Sequence, residues 1–189
     1  RQAHIPPRHI ASMADPSYLQ SVTLSQESQL KELLLHLYLY QNGQARPQGN
    51  QAQLLGSTAP HSFGCTVVND WSIHDGSSPT TKIVARAQGL HMQASMSGGN
   101  WFMCHNIVFI DDRFKGSTLK VLGNIQGEQG EWAIIGGTGE FAYAKGVITY
   151  KRCDTGTREL HIRVLCRTFR KPEAPVVPTP TGQAIAPNA

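Results

Sequence analysis

Leucine occupies positions 33, 35, 37 and 39, and His36, Tyr38 and Tyr40 fill the places that alternate with them. A period of two lines one face of a pleated strand, whereas a helix would scatter these leucines around its girth. The pattern recurs. Leu119, Val121 and Ile125 alternate with Lys120 and Asn124, and Leu160, Ile162 and Val164 alternate with Glu159, His161 and Arg163. Strand signals also cover 63–68, 81–96, 101–110, 131–135 and 141–151, separated by turn clusters such as Asp75-Gly76-Ser77-Ser78-Pro79 and Asp154-Thr155-Gly156-Thr157. About eight strands and no long helix follow from this pattern. Short turns between successive strands favour an antiparallel sheet, and closing it into a barrel removes its unpaired edges. The expected architecture is an all-β, eight-stranded antiparallel barrel, wide enough inside for side chains or one small ligand.

The barrel occupies residues 29–171 of the 189. Residues 1–28 hold Pro6, Pro7 and Pro16 with no sustained period and read as a flexible arm. From Pro172 to Ala189 the chain turns to Pro, Thr and Ala and reads as an extended tail or linker. Hydrophobic residues make up 40% and charged ones 16%, the opposite of the balance that keeps a chain disordered. The longest apolar run, Leu33–Leu39, is seven residues broken by His36. A helix needs about 20 to cross a bilayer, so no membrane association is expected. The opening at Arg1 implies a fragment or a processed product, and Arg1–Arg8 has no apolar core of a signal peptide. The net charge of +4 is concentrated in Lys151-Arg152 and in 158–171, where alternation suggests a solvated strand face and no nucleic-acid stripe.

No chemistry-bearing motif stands out. Gly136-Gly137-Thr138-Gly139-Glu140-Phe141 resembles a phosphate loop, but strand-like residues follow where an anion-holding helix should open, so a tight turn is expected. Among eight histidines, His91 and His105 are placed to face each other on neighbouring strands. No fixed spacing joins any two histidines near a carboxylate, which predicts individually satisfied rings and no metal. Four cysteines without a CxxC pair predict buried free thiols, with a Cys153–Cys166 pairing across a hairpin as the alternative. No serine sits in a nucleophile elbow, so no catalytic residue is assigned.

Four stretches carry a resemblance: Leu37-Tyr38-Leu39-Tyr40 with Gln41-Asn42-Gly43; Ala85-Arg86-Ala87-Gln88-Gly89; Lys115-Gly116-Ser117-Thr118-Leu119-Lys120-Val121 with Gly123; and Gly136–Phe141 closed by Ala144-Lys145-Gly146. In this order the chain resembles the plant dirigent family over residues 33–169. The resemblance implies an eight-stranded barrel, a homotrimer, an apoplastic location and a pocket at one mouth. Such proteins hold phenoxy radicals made by a separate oxidase and fix the face on which they couple, as in lignan formation, with no cofactor of their own. The pocket residues it implies here are Tyr40, Gln41, Asn42, Glu140 and Lys145.

Departures fall in that pocket. Tyr40-Gln41 stands where lignan-forming members carry His-Asp, and an amide exchanges no proton at useful pH. Lys145 replaces the Arg of Ala-Arg-Gly, Ala142 replaces an Arg that often follows the Phe, and Lys115 replaces an Asn. With the Pro-rich tail, these changes resemble grass dirigent domains fused ahead of a jacalin-type lectin domain, which lack secretion signals and are cytoplasmic. That resemblance implies a carbohydrate-binding, defence-related alternative in which the same five residues contact a sugar.

Overall fold

The computed structural model describes residues 29–43 and 49–168. The arm expected for 1–28 and the tail from Pro172 lie outside them. Nine strands follow in chain order: β1 (Gln29–Tyr40), β2 (Gln51–Leu55), β3 (Thr66–His74), β4 (Ile83–Gln93), β5 (Trp101–Phe109), β6 (Thr118–Ile125), β7 (Gln129–Thr138), β8 (Lys145–Arg152) and β9 (Thr157–Thr168). Each pairs antiparallel with its neighbour in the order β1-β9-β8-β7-β6-β5-β4-β3, and β3 returns to β1 to close an eight-stranded barrel.

The ninth strand explains how the barrel seals. β1 reaches β3 only through Tyr38, Leu39 and Tyr40, opposite His74, Ile73 and Ser72. The chain then swings out, and β2 pairs with Thr66–Asn69 along the same edge of β3. The two segments therefore share one stave. β2 has no alternating pattern, and Ala52–Leu55 are exposed. The bare edge of β3 orders it, and the local sequence carries no sign of that edge.

Two other boundaries differ from expectation. β3 starts at Thr66, because 56–65 turns through Pro60–Ser62 first. β8 starts at Lys145, because Gly139–Phe141 forms a 3-10 turn and Tyr143 takes φ 60°. Gly139 itself has φ +64°, the left-handed region that favours glycine. The expected strand-to-strand turn therefore begins only at Gly139, whereas Gly136 and Gly137 stay in β7, paired with Lys120 and Leu119 of β6.

The alternating leucines behave as their parity requires. Leu37 and Leu39 are buried, Leu33 and Leu35 pack against the core, and Leu34 on the other face is 73% exposed. The interior is not a hollow lumen: Trp71, Trp132, Tyr150, Phe109, Phe141 and Met103 are fully buried in it. Trp132 stacks on Tyr150 with ring centroids 4.6 Å apart. Their polar ends are satisfied by donation to Asn124 O at 2.9 Å and Gln126 O at 3.0 Å, as buried Trp and Tyr require. Open space lies beside the barrel axis, at the seam.

All four cysteines are free, but only Cys65 and Cys166 are buried. Cys153 sits in the β8–β9 turn, far along β9 from Cys166, so the cross-hairpin pairing does not form. The expectation of scattered, individually satisfied histidines fails for one pair. His36 and His161 stand directly opposite each other on β1 and β9, and both approach Glu159.

Candidate functional site

Where the chain leaves β3 after Tyr40, the excursion is pinned at both ends. Gln41 N–H donates to Gly156 O at 2.7 Å. The Asn50 side chain donates to Tyr40 O at 2.9 Å and accepts from Asn42 N–H at 2.8 Å. Two adjoining cavities of about 630 and 610 Å3 open along this seam, and Tyr40, Asn42 and Gln51 line both. One wall carries Asp70, Ser72, His74 and Arg86, and the other carries Ser77 and 154–157. Arg86 grips Asp70 through Nε–Oδ1 at 2.9 Å and a second nitrogen to Oδ2 at 2.6 Å. Those bonds hold the Asp70 carboxyl below the usual range. Among the described residues the buried Tyr40 hydroxyl has no hydrogen-bond partner, and its ring packs on His74 at 4.5 Å.

Gln41 and Gln51 form the floor of the cleft. Gln41 accepts from an Arg158 nitrogen at 2.9 Å and donates to Gln51 Oε1 at 3.0 Å, which also accepts from Trp71 Nε1 at 3.0 Å. Behind this chain Arg158 is 7% exposed. Among the described residues it makes no ion pair with a carboxylate, and its Nε has no partner. Burial pulls its guanidinium below the ordinary arginine value. Trp71 meets His91 at 5.1 Å and His105 edge-on at 4.8 Å. Asn69 anchors His91 at 3.4 Å while donating to Ala87 O at 2.8 Å, and among the described residues His105 Nε2 has no partner. A cation with spare donors beside two neutral imidazoles and an indole suits an oxygen on a flat aromatic guest.

A family model described as "Dirigent-like protein" matches residues 33–166. The chain belongs to the dirigent family. Dirigent protein 11 of Arabidopsis thaliana is 38% identical over 94 residues, covering 47% of this chain and 49% of the relative. Pterocarpan synthase 1 of Glycyrrhiza echinata is 29% identical over 151 residues, covering 72% of this chain and 77% of the relative. The chain spans about half the length of the curated relatives it matches at the higher identities. The solved structure of a pterocarpan synthase dirigent protein superposes with a TM-score of 0.72 at 25% identity, covering 79% of this chain and 100% of that one.

In this dirigent barrel Tyr40, Gln41 and Asn42 share the seam cleft, but Glu140 and Lys145 do not join them. Tyr40 pairs with Thr157 at one end of β9, while Lys145 pairs with Leu165 near the other. Glu140 is exposed and bound to Arg113 at 2.6 Å, whose guanidinium lies 4.4 Å over the Phe114 ring. Gln51 lines the cleft with Tyr40, Gln41 and Asn42, and Trp71, His91, His105 and Arg158 are buried behind the Gln41–Gln51 floor without lining either cavity. Arg158 had a legible signal. It has the inward parity of Leu160, Ile162 and Val164, and only the charges of opposite parity are solvated. The neighbourhood of His91 and His105 was legible too, but not that His105 would be left unsatisfied.

The two imidazoles predict an acid-sensitive fold. Burial lowers His91 from 6.5 to about 4. Burial, then the neighbouring His91 and Arg158, lowers His105 to about 3. In the unfolded chain both protonate as pH falls below 6.5, while the folded rings stay neutral to about pH 4. Stability is therefore full above pH 6.5 and falls through that window, with close to two protons taken up by this pair on unfolding near pH 5. The urea midpoint is expected to be lower at pH 5 than at pH 7.5, and less so in His91→Gln. A slope unchanged by that substitution assigns the acid sensitivity to other groups.

Proposed function

We propose that this barrel seats a phenolic guest in the seam cleft and fixes the face on which its phenoxy radicals couple. A separate oxidase supplies the radicals. Each radical has already lost one electron and one proton to that oxidase. Two of them pair their odd electrons in one carbon–carbon bond, so the barrel neither gains nor loses electrons. Its contribution is orientation, which removes rotational freedom before the bond forms.

The observation that carries this reading is the buried Arg158 behind the Gln41–Gln51 floor, which among the described residues has no carboxylate at ion-pair distance. A phenoxy oxygen bears no net charge yet accepts hydrogen bonds strongly. Such an oxygen takes the place of the Gln41 amide on Arg158 without stranding a second charge. His91 and His105, neutral at physiological pH, offer weak polar contacts and no competing cation. Membership of the dirigent family supports guidance as the activity, and the relatives named pterocarpan synthases support an aromatic product class.

Coupling of coniferyl alcohol by an external one-electron oxidase, followed by chiral separation of the dimers, tests it. Enantiomeric excess is expected to rise to a plateau with protein while the rate of oxidation stays constant. Racemic dimers at saturating protein overturn the reading. A second reading rests on the cleft's outer wall, where the unpartnered Tyr40 hydroxyl stands with Asn42, Asn50, Asp70 and Arg86. Flat polar groups beside an aromatic ring suit a sugar. Saturable heat on titration with millimolar galactose or mannose, together with racemic coupling, selects that reading.

A further inference from the structure

Next to the cleft, the outer face of the barrel carries a cluster that coupling does not use. The β1–β9 register sets His36 opposite His161 and Tyr38 opposite Glu159. Residues two apart on a strand share a face, so two imidazoles and one carboxylate meet on a single patch. The rings of His36 and His161 stack with centroids 4.5 Å apart and planes 12° apart. Glu159 Oε1 lies 2.7 Å from His36 Nε2 and 3.6 Å from His161 Nε2.

We propose that His36, His161 and Glu159 bind a borderline divalent transition-metal ion of the Zn2+ type, bridging β1 and β9. Two donors on one tetrahedral zinc, each about 2.05 Å from it, stand roughly 3.3 Å apart. The two nitrogen–oxygen separations here bracket that spacing, and the three ligand atoms all lie within 4.8 Å of one another. The side chains are reachable from solvent, being 51%, 58% and 25% exposed for His36, His161 and Glu159. Neutral imidazole with carboxylate is the donor set that zinc and its neighbours favour over Mg2+ and Ca2+. Three protein ligands leave one coordination position for water or a guest. Glu159 and His161 also border a shallow groove of about 440 Å3 with Gln129, Glu131, Thr149 and Lys151, so the ion sits at its edge. The bridge would tie down the stave that meets β3 through three residues only.

The test is calorimetric titration of the full chain with ZnCl2, paired with thermal melts, with MgCl2 as the hard-ion control. The wild-type chain is expected to take one Zn2+ and to gain several degrees in Tm at saturation. His36→Gln and His161→Gln, both at the surface, are each expected to weaken binding at least ~10-fold and to cancel the Tm rise. His61→Gln, outside the cluster, is expected to leave both intact. Absence of saturable Zn2+ binding, or equal affinity in the two cluster variants and the wild type, overturns the site. Coupling stereochemistry is indifferent to either result.

Discussion

Replacing Arg158 with methionine is expected to stabilise the barrel by about 1–3 kcal/mol while destroying its hold on a phenolic oxygen. Ordinary core substitutions do the reverse. A buried guanidinium without a carboxylate costs the fold its desolvation, and one hydrogen bond to Gln41 repays only part of that. Methionine fills a similar length with no charge, and Gln41 lines the cleft, where water replaces the lost donor. The guest loses a charge-assisted hydrogen bond worth roughly 1.5–3 kcal/mol, about 10- to 100-fold in affinity. A raised urea midpoint with racemic product is the expected pair of results. A lowered midpoint with undiminished enantiomeric excess would make Arg158 a structural strut and remove the basis of the functional reading. The stability spent on this residue is the trade expected where a site needs an unsatisfied group.

Gly146→Ala is expected to lower Tm by roughly 10 °C, through a loss of about 3 kcal/mol. A methyl group at this position falls onto the Arg163 carbonyl oxygen, with Val164 Cα 3.0 Å away. Neither strand has room to retreat, because β8 is paired on both sides, Gly146 lying between Ile134 of β7 and Val164 of β9. Relief requires breaking ladder hydrogen bonds. Gly136→Ala is the matched control. Its nearest neighbour is Lys120 Cγ at 4.0 Å and its φ is not positive, so that substitution is expected to be neutral or slightly stabilising. Equal melting temperatures for the two variants would refute the close approach of β8 to β9.

Much of this molecule was written in one-dimensional patterning. Parity along a strand is local, so the leucines at 33–39 declared their face; Arg158 shares the inward parity of Leu160 and Ile162 and is buried, against the solvated face expected for the charges of 158–171. Turn chemistry is also local, and Gly139 with its positive φ marked the turn after β7, although Gly136 and Gly137 before it remain in the strand. The dirigent motifs placed Tyr40, Gln41 and Asn42 at a site, and these three do share a cleft. Strand order and shear, by contrast, join residues far apart in the chain. They placed Glu140 and Lys145 near the end of β9 opposite Tyr40. They ordered the unpatterned β2 against a bare edge. They set Gln51 and Trp71 against Gln41 and Arg158.

Alternation thus determined that the chain forms a barrel and which side chains face in. Only closure of the barrel decided which of those side chains meet. The physical reason is that pleating depends on nearest neighbours along the chain, whereas register depends on how the first stave finds its seat on the third and ninth strands. That same register brought His36 against His161, 125 positions later, beside one shared carboxylate.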